Sequence, residues 1–320
     1  MLTFIMFVIG FALLIKGAGL LVDGSASIAR RLNVSTIVIG LTIVAFGTSA
    51  PEFVVNIVAS IEGNSEIAIG NILGSNIANI LLILGISAII NPITAKRNTV
   101  LKEIPLSLLA IIILGLMAND TLFESDGISA ISRLDGVVLL LFLVVFLYYV
   151  FSITRKPGDI AIEEQQIKVF SYSKSVIFII LGIIGLSIGG KWIVDGAVSI
   201  AEYLGVSQSF IGLTIVAVGT SLPELATSAV AAYKKQSDIA IGNVVGSNII
   251  NVFWILGISA IIKPLPFNNK SNFDIIVAMY ASVLLFTVMF IGKKRVIERR
   301  EGIIMLISYI IYIVFLVLSN

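Results

Sequence analysis

Apolar residues run through this chain in stretches of about 20, the length a helix needs to cross a bilayer, separated by short segments rich in Lys, Arg, Asn, Gly and Pro. Dividing at these loop signals predicts ten spans, over roughly 2–28, 33–61, 66–90, 98–118, 134–153, 174–202, 206–233, 238–262, 272–291 and 301–319. Ten-residue segments of strict alternation, the pattern of a transmembrane barrel, are absent from the sequence. The expected fold is an all-α polytopic membrane protein. The N-terminal MLTFIMFVIG lacks a basic leader and a small-residue cleavage site, so it is read as a first span rather than a removed signal.

The pattern also repeats. Residues 40–92 return 172 positions later as 212–264 without a gap, with 33 of 53 paired positions identical. Asp23-Gly24 returns at the same offset as Asp195-Gly196. Five spans per copy is an odd number, so the two copies must enter the membrane from opposite sides. The chain is therefore expected to divide into a five-helix repeat at 1–153, a linker at 154–173 and a second, inverted repeat at 174–320. Inverted halves with interrupted helices are the sequence pointer to a secondary transporter whose site lies where the halves meet.

Composition narrows the class. Hydrophobic residues make up 58% and charged residues 12%, and mean hydropathy is +1.08, outside the range of soluble domains. Cysteine and histidine are both absent, which removes thiol chemistry, the commonest transition-metal ligand and the usual proton shuttle. Any metal ion must meet oxygen alone, which suits hard cations. No cofactor and no obligate protein partner is implied; the lipid bilayer is the expected surrounding.

The net charge of +2 says little, but its distribution is informative. If ten spans alternate, one set of loops holds 16 of the Lys and Arg residues, including Arg30, Arg31, Lys96, Lys234, Lys235 and Lys293 to Arg295; the other holds only Arg133, Lys263 and Lys270. The positive-inside rule places the rich side in the cytoplasm and both termini outside, in a plasma membrane. These clusters sit close to span ends and read as topology signals, not as a nucleic-acid face. The loop with Asp120, Glu124 and Asp126 falls outside and reads as ordinary solvation, with a weak cation-attracting mouth as the rarer alternative.

Candidate chemistry sits in the repeat. Pro51 and Pro223 lie inside their spans, each followed by a carboxylate, Glu52 or Glu224. A mid-helix proline lacks an N–H and clashes with the carbonyl four residues earlier, so carbonyls around Gly47-Thr48 and Gly219-Thr220 should leave the helical ladder. Such carbonyls are tolerated at membrane depth only inside protein or against a cavity. A carboxylate at the bilayer centre costs about 2.5–3.5 kcal/mol, and no lysine occupies matching positions in both halves; Lys16 and Lys191 are free to snorkel. The pair therefore calls for a cation between the carboxylates or for protons on them. The second motif, Gly70-Asn71-x-x-Gly74-Ser75-Asn76-x-x-Asn79 and its copy Gly242-Asn243-x-x-Gly246-Ser247-Asn248-x-x-Asn251, is small and polar. Ser75 with Asn79, and Ser247 with Asn251, share a helix face and read as site-lining, whereas Asn76 and Asn248 divide evenly between lining and interhelical glue. Gly74 and Gly246 should let spans approach closely. Carboxylate, hydroxyl, amide and carbonyl oxygens together suit Na⁺ and Ca²⁺ better than Mg²⁺.

At Gly47-Thr48-Ser49-x-Pro51-Glu52 and Gly219-Thr220-Ser221-x-Pro223-Glu224 the chain resembles the cation/Ca²⁺ antiporters, and within them the prokaryotic Na⁺/Ca²⁺ exchanger branch. The resemblance covers essentially all ten spans. It implies ions at mid-membrane between spans 2, 3, 7 and 8, with Glu52, Glu224 and the Thr48 and Thr220 carbonyls on Ca²⁺. Sodium sites would use Ser49, Ser75, Ser221, Ser247 and the Ala45 and Ala217 carbonyls, and spans 1 and 6 would slide against the other eight. Several family members carry an Asp where Asn251 stands. The H⁺/Ca²⁺ branch tends to carry an acid where this chain has Gly74 and Gly246, a departure that favours sodium. The expected function is Na⁺/Ca²⁺ antiport by alternating access, not enzymatic catalysis; H⁺/Ca²⁺ exchange and a passive cation channel are the alternatives, and an intramembrane hydrolase lacks a nucleophile-and-base set.

Overall fold

A computed structural model describes residues 2–119, 129–153, 168–204 and 217–319. They are helical almost throughout. In chain order the helices are α1 (Leu2–Leu32), α2 (Thr36–Thr48), α3 (Ala50–Glu62), α4 (Ser65–Ile90), α5 (Thr99–Met117), α6 (Arg133–Ile153), α7 (Tyr172–Tyr203), α8 (Ala217–Thr220), α9 (Leu222–Tyr233), α10 (Ser237–Ile262), α11 (Asn272–Val288) and α12 (Arg299–Ser319). Among the described residues eight helical stretches are long and apolar enough to cross a membrane, nine if the bent pair α2 and α3 is counted as one span. The chain is a multi-pass helical membrane protein. The expected seventh span, 206–233, is described only from 217 onward, and the acidic loop residues Asp120, Glu124 and Asp126 lie outside the described residues.

The predicted second span is broken, as the proline requires. Its two pieces bend by 48° at Ser49, where ψ turns to 7°. Pro51 occupies the first turn of α3, where its missing N–H costs nothing. The same break recurs at Ser221, with ψ 5° and Pro223 in the first turn of α9. Within α4 and α10 the helix widens to π-helical turns at Asn79–Leu84 and Asn251–Leu256, a distortion that frequently marks functional sites.

Helices α1 and α7 cross through glycines spaced seven apart. A Cβ on Gly17 would meet the Leu186 nitrogen at 2.8 Å, one on Gly182 the Leu21 nitrogen at 2.7 Å, and one on Gly189 the Gly10 carbonyl at 2.8 Å. Only residues without a Cβ allow this backbone approach. As the numbering rises along α1 from Gly10 to Gly24, its contacts fall along α7 from Gly189 to Ser175, so the two helices run antiparallel. Ser27 and Ser175 close the seam with a 2.8 Å hydroxyl contact. Gly246 on α10 meets α2 as closely, its Cβ position lying 2.8 Å from Leu41 Cα. Around Gly74 nothing described lies within 4 Å; residue 213, which stands 172 beyond Leu41, is outside the described residues.

Two short antiparallel ladders staple the periphery. β1 (Ile93–Thr94) pairs with β4 (Val296–Ile297), and β2 (Ala130–Ile131) with β3 (Leu265–Pro266). Lys234, at the end of α9, reaches α1 and bonds both Asp23 Oδ1 at 2.6 Å and the Gly19 carbonyl at 3.0 Å. Lys96 and Asp238 pair at 2.8 Å, and Thr36 donates to the same Asp238 oxygen at 2.9 Å, holding α2 to α10. The core of α4 and α10 is buried on nearly every side, whereas α1, α5 to α7, α11 and α12 expose apolar residues around the outside.

Candidate ion-binding site

The helix breaks deliver their residues to one place. Ser49 Oγ lies 3.0 Å from Glu224 Oε1 and 3.0 Å from Ser247 Oγ. With one proton to give, Ser49 donates to the carboxylate and accepts from Ser247. Ser221 Oγ lies 3.2 Å from Glu52 Oε1 and 3.2 Å from Ser75 Oγ, and Ser75 is itself 3.5 Å from the same Glu52 oxygen. The Ser49–Glu224 and Ser49–Ser247 contacts have their equivalents 172 positions away in Ser221–Glu52 and Ser221–Ser75, so each carboxylate is held by a serine of the other copy. Sequence reasoning grouped these six residues; the crossed pairing is visible only in three dimensions.

Glu52 and Glu224 are each 1% exposed. One oxygen of each is satisfied by serine, while Oε2 of both has no hydrogen-bond partner among the described residues. Oδ1 of Asn79 and Oδ1 of Asn251 are in the same condition. Four buried acceptors, matched in pairs, thus lie around the crossing of the two copies. The described ion pairs, Lys96–Asp238, Lys191–Asp195, Lys234–Asp23 and Lys293–Glu298, all involve other carboxylates. A buried acceptor without a donor costs about 1–3 kcal/mol, more if charged. Oxygens of this kind are the donor set of a Na⁺ or Ca²⁺ site.

The other expected ligands occupy the same breaks. Thr48 and Thr220 end α2 and α8, at helix C-termini where intrahelical donors run out. The Ala45 carbonyl accepts from the Ser49 N–H at 3.0 Å, with the Thr48 hydroxyl oxygen 3.3 Å away. Ala217 opens α8.

Sequence reasoning gave no role to Asn71 and Asn243. Thr48 donates to Asn243 Oδ1 at 2.9 Å and Thr220 to Asn71 Oδ1 at 3.4 Å, again across the two copies. Asn71 in turn donates to Asn56 at 2.8 Å, and Asn243 to Ser228 at 3.0 Å. The repetition of Asn71 as Asn243 was the available signal. Asn56 and Ser228 differ in type, so identity between the copies could not flag them. Asn76 and Asn248 bond each other's helices: the Nδ2 of each donates to the other's backbone carbonyl at 3.2 Å.

Comparison with known proteins agrees with this geometry. The family described as Sodium/calcium exchanger protein matches residues 2–152 and 174–318. Over 308 residues the chain is 40% identical to the uncharacterized membrane protein MJ0091 of Methanocaldococcus jannaschii, covering 96% of this chain and 95% of that one. It is 31% identical to the sodium/calcium exchanger MaX1 of Methanosarcina acetivorans, with 98% of each covered. A solved structure of the sodium-calcium exchanger NCX_Mj, soaked with 2.5 mM Na⁺ and 0.1 mM Ca²⁺, superposes with a TM-score of 0.83 at 37% identity over 98% of both chains. Two copies of a proline-broken helix, each placing a glutamate against the other's serine, belong to a chain that is a member of the sodium/calcium exchanger family of cation/Ca²⁺ antiporters.

Proposed function

We propose that this protein exchanges Na⁺ for Ca²⁺ across the plasma membrane by alternating access. The observation that carries the reading is the set of four buried acceptors, Oε2 of Glu52 and Glu224 and Oδ1 of Asn79 and Asn251, at the meeting of two equivalent helix pairs. Two carboxylates in a low dielectric cannot stay charged and empty. The site therefore crosses the membrane loaded with Ca²⁺ or with Na⁺, and that requirement couples the two fluxes. Glu52, Glu224 and the Thr48 and Thr220 carbonyls take Ca²⁺; Ser49, Ser75, Ser221, Ser247 and the Ala45 and Ala217 carbonyls take Na⁺. No cofactor is needed beyond the transported ions.

The architecture proposed for this cycle is ten spans in two inverted repeats, 1–153 and 174–320, joined by a cytoplasmic linker at 154–173, with both termini outside. The antiparallel crossing of α1 and α7 through equivalent glycines supports it, because equivalent helices of an inverted pair must point in opposite directions. The glycine seam also makes α1 and α7 one body able to slide past the rest.

The deciding experiment is ⁴⁵Ca²⁺ uptake by purified protein in proteoliposomes. A Na⁺ gradient should drive uptake at constant pH, and a pH gradient without Na⁺ should not. Uptake driven by protons alone would assign H⁺/Ca²⁺ exchange, and uptake with neither gradient a passive channel.

A further inference from the structure

We infer that Asn76 and Asn248 are positioning residues that orient the amides of Asn251 and Asn79, so that oxygen and not N–H faces the ions. The chain of donors and acceptors leaves one arrangement. One end of the Asn76 side chain lies 3.2 Å from the backbone carbonyl of Asn248, and a carbonyl only accepts, so that end is Nδ2. The other end is therefore Oδ1, an acceptor, and the Asn251 group 3.0 Å from it must be the donor Nδ2. The remaining end of Asn251 is then Oδ1. The same steps run through Asn248, which donates to the Asn76 carbonyl at 3.2 Å and accepts from Asn79 Nδ2 at 2.9 Å. The two backbone carbonyls thus set the direction of four side-chain amides.

The Oδ1 atoms so directed are the two that are buried without a hydrogen-bond partner among the described residues. Asn79 stands one turn from Ser75, which contacts Glu52 and Ser221, and Asn251 one turn from Ser247, which contacts Ser49. Both asparagines begin π-helical turns. An amide turned the other way would aim two partial positive charges at a cation. Orientation is thus a condition of binding in a site whose formal charge comes from only two carboxylates. The inference rests on the ion-site reading given above.

The test is a double-mutant cycle read in the Ca²⁺ half-saturation of exchange. Serine at 76 is small enough for the helix interface and too short to hold the Asn251 amide. Asn76→Ser should raise half-saturation about tenfold, equal to about 1.4 kcal/mol, with maximal rate kept within about twofold. Asn251→Ala should raise it by a similar factor, and adding Asn76→Ser to Asn251→Ala should change it less than about twofold. A purely structural tie between α4 and α10 predicts instead a lower thermal midpoint, unchanged half-saturation in the single variant and additive losses in the double; that outcome overturns the inference. Wild-type behaviour of Asn251→Ala would remove Asn251 from the ion site and the inference with it, whereas parent-like uptake by Glu52→Gln or Glu224→Gln would overturn the ion-site reading itself. The equivalent cycle of Asn248→Ser with Asn79→Ala provides an independent measurement should one variant fail to fold.

Discussion

The hydroxyl of Ser49 donates at 3.0 Å to Oε1 of Glu224, 175 positions along the chain and in the other copy of the repeat. Neither copy holds its own carboxylate by this serine, so the site exists only when the two are assembled. Removing the donor strands a buried carboxylate oxygen, and hydrogen bonds to charged groups are worth about 1.5–3 kcal/mol. Ser49→Ala should therefore weaken Na⁺ dependence, raising the Na⁺ half-saturation about tenfold or more. Tracer uptake against graded Na⁺ gradients measures it, and an unshifted curve would remove Ser49 from the site.

Glu52→Gln and Glu224→Gln should each abolish or severely reduce Ca²⁺ transport in a folded protein. Halving the negative charge leaves Ca²⁺ too little compensation for the hydration it gives up. Size-exclusion profiles like the parent's, together with parent-like uptake by either variant, would contradict the ion-site assignment.

Asn251→Asp places a third carboxylate beside two others. Mutual repulsion drives the trio to bind a further cation or a proton, so Ca²⁺ exchange in the variant should depend more steeply on pH than in the parent. Measuring rates between about pH 6 and 9 decides the matter; superimposable profiles would mean that position 251 does not face the ions.

Exchange should carry net charge if three Na⁺ return for each Ca²⁺. Two fixed carboxylates neutralise Ca²⁺ on one crossing, and three Na⁺ leave one positive charge on the other. That step responds to potential by about 2.3 kcal/mol per 100 mV across the full field. The serine pairs Ser49 with Ser247 and Ser221 with Ser75, proposed above as sodium ligands flanking the carboxylates, favour three. Uptake in vesicles clamped with valinomycin and K⁺ should shift with voltage; rates and end points independent of voltage would indicate two.

Gly182→Val should destabilise the seam between α1 and α7, because any Cβ there lies 2.7 Å from the Leu21 nitrogen. Overpacking typically costs about 1–3 kcal/mol. A drop of several degrees in thermal midpoint, followed by size exclusion after heating, is expected; an unchanged midpoint would show that the helices separate at no cost.

That most residues of the candidate site come together was legible in the sequence because the repeat flags them. Glu52 and Glu224, the serines and the asparagines recur at one offset, and an apolar setting leaves few roles for a carboxylate. Three-dimensional relations were not legible. Nothing in the spacing says that Ser49 serves Glu224 rather than Glu52, since both arrangements keep the same spacing within each copy. Asn56 and Ser228 escaped because different side chains do the same work against Asn71 and Asn243. Helix ends were read to within a few residues, and the break at Ser49 follows from Pro51. The widening at Asn79 and Asn251 left no mark, because a π-helical turn has no residue preference comparable to proline's.

The ion pair between Lys234 and Asp23 has no twin. The residues 172 positions away, Glu62 and Asp195, are both acidic. A centre built of matched halves has no preference of its own between its two openings, so the preference must come from positions where the match fails. On one side the structure joins opposite charges; on the other, the equivalent contact would bring two carboxylates together. For half-exposed groups the attraction is worth about 0–1 kcal/mol, up to about a fivefold bias in population. In the proposed topology Lys234 is cytoplasmic, so in the proposed cycle that bias would favour the state open to the exterior.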